Sequence, residues 1–104
     1  MAWYLARAGY VCLTMDYRTS GASTGKPRGQ VYFANNVQDM QYGLFYLRSR
    51  HEVDPDAIGL HGVSPSGAVA MRLAARDRRV KCVSALRCSS SAPTVRTSTT
   101  TWNR

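Results

Sequence analysis

Apolar residues are not spread evenly along this chain; they gather in short runs set apart by polar and glycine-rich stretches. Residues 1–8 carry a helix-compatible pattern that Gly9 stops. Tyr10-Val11-Cys12-Leu13-Thr14-Met15 is a β-favouring run ended by Asp16. Residues 18–29 contain Gly21, Gly25, Gly29 and Pro27 and read as a loop. From Val31 to Arg50 the apolar positions Phe33, Val37, Met40, Leu44 and Leu47 step by four, three, four and three. That spacing predicts a helix with one buried stripe. After the turn Asp54-Pro55-Asp56, a second strand is expected over Ala57–His61, then a helix to about Arg76 and a third strand over Val80–Leu86. Strands alternating with helices predict a parallel sheet with right-handed crossovers.

The pattern stops at residue 87. Residues 87–104 hold nine Ser/Thr, three Arg and no acid, with Val95 and Trp102 the only large apolar side chains. Such a stretch cannot bury enough apolar surface to offset its ordering entropy, so the tail is expected to be disordered. The expected organisation is therefore one α/β core over residues 1–86 and a Ser/Thr-rich tail over 87–104.

Composition narrows the classes. At 44% hydrophobic and 19% charged, the chain is of globular type. No apolar run approaches the length of a membrane span, so no membrane partner is expected. The start lacks a charged segment followed by a long apolar stretch, which argues against a secretory signal. Cys12, Cys82 and Cys88 are odd in number and lack metal-ligand spacing, so no metal is expected. Cys12 and Cys82 fall in strand-like runs and are expected to be small core residues of a reduced, cytoplasmic protein.

The net charge is +8, and Arg72, Arg76, Arg78, Arg79 and Lys81 cluster. An anion-binding module is one reading of that cluster; a solvated helix end is the other. Nucleic acid is not the expected partner, because no aromatic-basic interleaving accompanies the charge.

Candidate chemistry concentrates in Gly62-Val63-Ser64-Pro65-Ser66-Gly67. A glycine-bearing turn between a strand and a helix is the setting of a nucleophile elbow. A nucleophilic serine must stand out on a tight turn so that base and substrate both reach its oxygen, and its flanking residues must be small. Gly62 meets that need two places before Ser64; Ser66 stands two places after it, with Gly67 one place later. The alternative is a structural turn in which Ser64 caps the helix and Pro65 takes its first position. His61, His51, Asp16 and Asp39 read as packed, helix-end, loop-anchoring and helix-surface residues respectively.

With that turn placed, further segments resemble the α/β-hydrolase superfamily. Leu5-Ala6-Arg7-Ala8-Gly9-Tyr10-Val11 looks like its helix-to-strand junction. Asp16-Tyr17-Arg18-Thr19-Ser20-Gly21-Ala22-Ser23-Thr24-Gly25 is similar to its D-x-R-G-x-G-x-S-x-G loop, with Thr19 replacing a glycine. Val53–Gly59 and Arg79–Val83 resemble the segments before the elbow and after the next helix. The similarity spans about residues 3–86 and is nearest to the dienelactone-hydrolase-like and Xaa-Pro-peptidase-like branches, where G-x-[SC]-x-S-G accommodates Ser66. The resemblance implies a partial α/β-hydrolase fold with three parallel strands and flanking helices. It also implies a serine hydrolase that cleaves small-molecule esters, thioesters or peptides through an acyl-enzyme on Ser64, without a cofactor.

Departures bound that expectation. No histidine follows His61 and no acid follows Asp77, so the family order of serine, acid and histidine is not completed within these residues. Pro65 has no N–H where the family's oxyanion donor stands. In the family, a strand absent from these residues lies between the equivalents of Tyr10–Met15 and Ala57–His61, which leaves the first strand an orphan. The expectation is the central piece of a serine hydrolase, inactive as it stands. A non-catalytic derivative binding a protein partner at the open sheet edge is the alternative, and an anion-binding module the third.

Overall fold

The computed structural model describes residues 1–86 and the backbone of residues 99–103. The elements are α1 (Ala2–Arg7), β1 (Val11–Met15), α2 (Phe33–Ser49), β2 (Ile58–Val63), α3 (Pro65–Arg76), β3 (Val80–Leu86) and β4 (Thr99–Asn103). They form one sheet of order β1-β4-β2-β3.

β2 and β3 pair in parallel, from Ile58 opposite Val80 to Val63 opposite Leu86. β4 runs antiparallel to both its neighbours, with Met15 opposite Thr99 and His61 opposite Thr100. Two antiparallel steps make β1 run the same way as β2, so β1, β2 and β3 are three parallel strands flanked by helices. This is the α/β arrangement of a partial α/β-hydrolase fold.

The gap expected between β1 and β2 is occupied. A strand from the tail fills it, in the opposite direction to its neighbours. The expectation of a disordered tail falls otherwise on residues 87–98 and 104, which lie outside the described residues. Within 99–103 the β-branched threonines that composition reads as polar chain also suit a strand, and two unpaired ladders are available to them.

Against the sheet, α2 and α3 pack on each other and bury one continuous core. Met40 and Leu44 of α2, Ile58 and Leu60 of β2, and Val69, Ala70 and Leu73 of α3 are almost fully excluded from solvent. Each large aliphatic side chain so buried contributes about 1.5–3 kcal/mol. Gly43 lets α2 approach β1: a Cβ there would lie 2.6 Å from Met15 Sδ. α1 packs on β1 and β4.

Two details of the expected core differ. Phe33 is 48% exposed at the first position of α2, where Asn36 and Asp39 are turned inward; Val37 packs against the core partly buried, and the fully buried stripe begins at Met40. Cys12 is half-buried and Cys82 is exposed, since Cys82 faces outward on the edge strand β3. Lying in a strand-like run does not decide which face a residue takes.

Candidate functional site

β2 delivers the chain to Ser64, and α3 leaves immediately after it. Ser64 has φ 57° and ψ −119°, in a region that side-chain-bearing residues rarely adopt. Its N–H donates to the carbonyl of Leu86 at 2.7 Å, tying the turn to the end of β3. Its own carbonyl accepts from the N–H of Gly67 at 3.0 Å, which opens the first turn of α3. Ser64 holds the N-cap position, yet its side chain makes no cap hydrogen bond. The residue is partly exposed.

The neighbours make the turn possible. At Gly62 an added Cβ would lie 2.2 Å from the Ser66 carbonyl oxygen, a separation that no side chain survives. At Gly67 the same atom would sit 3.2 Å from Ala85 Cβ. Pro65 is exposed at the first helical position, where its fixed φ suits the helix and its missing N–H leaves no donor. Val63 is partly buried. Ser66 is 1% exposed, and its hydroxyl is buried without a hydrogen-bond partner. At 1% exposure that hydroxyl is shut off from solvent.

His61, three residues before Ser64, is buried in β2, with Nδ1 3.2 Å from Ser84 Oγ. Burial pushes its imidazole below the usual histidine range. His51 is exposed on the α2–β2 connection beside Glu52. Glu52, Asp54 and Asp56 precede β2, and Asp77 lies between α3 and β3, so all four lie toward the N-terminal ends of these parallel strands, away from Ser64 at the C-terminal end of β2. Asp77 is gripped by Arg79, whose hydrogen bonds hold its carboxyl below the usual range. Arg79 also stacks on Phe45 at 4.7 Å, so it is not a free cation of the basic cluster.

Asp16 behaves as a loop anchor. Its carboxylate accepts from the N–H of Ala22 at 3.0 Å, and its carbonyl accepts from the Ser23 hydroxyl. Asp39 departs from its expected surface role. It is buried, and Arg18 binds it through both backbone and side chain. Sequence reasoning missed it because the acid lies on a helix 21 residues from its partner. Among the described residues, no three His, Cys, Asp or Glu side chains converge as a metal site.

A separate open cleft of about 560 Å³ lies at β1, lined by Leu13, Met15, Tyr42 and Tyr46 under a rim of Asp16 and Arg18. None of the residues from Gly62 to Gly67 lines it.

Known proteins place these features in context. The chain is 38% identical over 82 residues to an acyltransferase (drtE) of Aspergillus calidoustus, covering 79% of this chain and 27% of the relative. It is 40% identical over 75 residues to a thiohydrolase (aneE) of Aspergillus aculeatus, covering 72% and 24%. A quorum-quenching protein (AidA) of Acinetobacter baumannii is 35% identical over 75 residues, covering 72% and 25%. The chain therefore spans about a quarter of the length of these relatives. No solved structure matches it. The sequence model of the X-Pro dipeptidyl-peptidase (S15) family matches residues 1–98. With a match over nearly its whole length, the chain belongs to that family, within the α/β-hydrolase superfamily.

Proposed function

We propose that Ser64 occupies the nucleophile position of an acyl-transfer site for ester, thioester or peptide bonds. One observation carries the reading: a serine held at φ 57°, ψ −119° between β2 and α3, with its hydroxyl not spent on capping. Strain of this kind costs on the order of 1–3 kcal/mol and persists where the surroundings enforce it. In such a site the hydroxyl oxygen attacks the carbonyl, the leaving group departs, and water or another acceptor takes the acyl group. The names of two relatives, an acyltransferase and a thiohydrolase, support that reaction class.

The residues of this chain supply only part of the machinery. His61 is buried and turned to Ser84, four acids lie at the opposite ends of β2 and β3, and Pro65 offers no N–H. Loss of one oxyanion donor alone typically costs about 10²–10³ in rate. The 104-residue chain is therefore expected to show no turnover of a p-nitrophenyl ester above that of Ser64→Ala.

The test is relative reactivity. A fluorophosphonate probe, followed by peptide mapping, should modify Ser64 faster than the exposed Ser49, whose hydroxyl bonds the Tyr46 carbonyl. Equal rates at the two serines would remove the basis for the reading.

A further inference from the structure

Three small residues from three elements meet beside Ser64. Gly62 lies near the end of β2, Gly67 in the first turn of α3, and Ala85 stands opposite Gly62 on the β3 ladder. A Cβ at Gly67 would sit 3.2 Å from the Ala85 Cβ and 3.2 Å from the Gly62 carbonyl oxygen. One at Gly62 would lie 2.6 Å from the Gly67 N. Neither glycine has room for a larger side chain. The spacing around Ser64 demands small residues at 62 and 67, but it says nothing of residue 85, which comes from another strand.

Ala85 is exposed and takes no part in the hydrophobic core. Its methyl therefore adds little to stability through burial. The contact it does make is with the turn that carries Ser64.

Two interactions with β3 act on that turn in opposite senses. The Ser64 N–H donates to the Leu86 carbonyl at 2.7 Å, which draws the turn toward the end of β3. The adjacent Ala85 methyl stands against Gly67 and limits how near the turn can come. A serine at φ 57°, ψ −119° relaxes unless its surroundings hold it there. The hydrogen bond supplies the pull and the methyl supplies the stop.

We propose that Ala85 is a positioning residue for Ser64: the bulk at residue 85 seats the first turn of α3 and, through it, sets the direction of the Ser64 hydroxyl. The proposal rests on the reading of Ser64 as the nucleophile position. Ala85 acts through Gly67 and is not itself catalytic. A displacement of about 1 Å at a reacting group can cost on the order of 10²-fold in rate, so the misfit of one methyl is enough to register.

The experiment moves that methyl across the contact in the full 104-residue chain. The readout is the ratio of fluorophosphonate labelling rates at Ser64 and Ser49, with far-UV circular dichroism and urea unfolding recorded in parallel. Gly67→Ala adds a Cβ against Ala85 and should lower the ratio about tenfold. Ala85→Gly removes the stop and should lower it about threefold. The double variant Gly67→Ala/Ala85→Gly restores one methyl at the contact, and its ratio should rise above that of Gly67→Ala alone. A merely structural role would shift the urea midpoint and leave the ratio at its wild-type value. A ratio that Ala85→Gly does not move, or a double variant no better than Gly67→Ala, overturns the proposal. Equal labelling of Ser64 and Ser49 in the wild type removes the nucleophile reading itself, so the wild-type ratio tells the two failures apart.

Discussion

Arg18 and Asp39 are 21 residues apart in sequence, and three hydrogen bonds join them. The Arg18 backbone N–H donates to Oδ2 at 2.8 Å, Nε donates to Oδ1 at 2.8 Å, and Nη2 donates to Oδ1 at 2.5 Å. Nη2 also donates to Gln38 Oε1 at 2.7 Å. The loop after β1 is therefore fastened to α2 by one carboxylate that engages main chain and side chain together. Asp39→Ala should lower the melting temperature on the order of 5 °C and speed protease cleavage within residues 16–30. Asp39→Asn, which keeps an acceptor for the backbone N–H, should recover part of the loss. Equal cleavage rates in wild type and Asp39→Ala would show that the loop is held elsewhere.

Ser64→Gly separates stability from reactivity. Glycine adopts φ 57° without the penalty that serine bears, so the variant should gain about 1 kcal/mol after its greater unfolded-state entropy is counted. Ser64→Ala keeps the strain and should match wild type. Urea unfolding of the three proteins checks the order, and a Ser64→Gly variant less stable than Ser64→Ala would contradict it.

Gly62→Ala should be among the most damaging single substitutions. Its Cβ would meet backbone at 2.2 Å, and backbone cannot swing aside as a side chain can. A loss of about 3 kcal/mol or more is expected, enough to abolish a cooperative transition in a small domain. Ser66→Ala should act in the opposite sense. It removes a buried hydroxyl without a partner, and a gain of about 1 kcal/mol is expected. Both are read by equilibrium unfolding.

Two buried groups respond to acid. Burial holds the folded-state pKa of His61 below 6.5. As pH falls through that value the unfolded chain takes up the proton that the folded state resists, and stability drops. Asp77 has a folded-state pKa below 3.8 because of its hydrogen bonds from Arg79. Its contribution is complete above that value and is lost as pH falls through the folded pKa. Thermal melts should therefore show a first decline from near pH 6.5 downward and a second below 3.8. His61→Asn should erase the first decline and leave the second.

Much of the fold was legible in the chain, because its elements rest on periodicity. Met40, Leu44 and Leu47 recur at helical spacing and are buried, and the run Val80–Leu86 is a strand at those bounds. Reading failed where a longer-range partner decides. Asp39 sits inward because Arg18 comes to meet it, and no local pattern encodes that encounter. Phe33 continues the stripe on paper but lies exposed at the first position of α2. β4 was hidden because Thr-rich sequence is equally compatible with solvated chain; the vacancy between β1 and β2 gives it two partners. At the site, the spacing around Ser64 was visible, but its dihedral angles were not.

The position of β4 also bears on how the sheet assembles in time. β4 separates β1 from β2, yet the ribosome makes it after both. Its pairs with β1 join residues from opposite ends of the described chain, such as Val11 and Asn103. Contacts of such long sequence separation form late and slow the search for the native state. Until β4 is made, β1 and β2 lack the ladder that joins them through it. The sheet closes from the inside, and its middle arrives last.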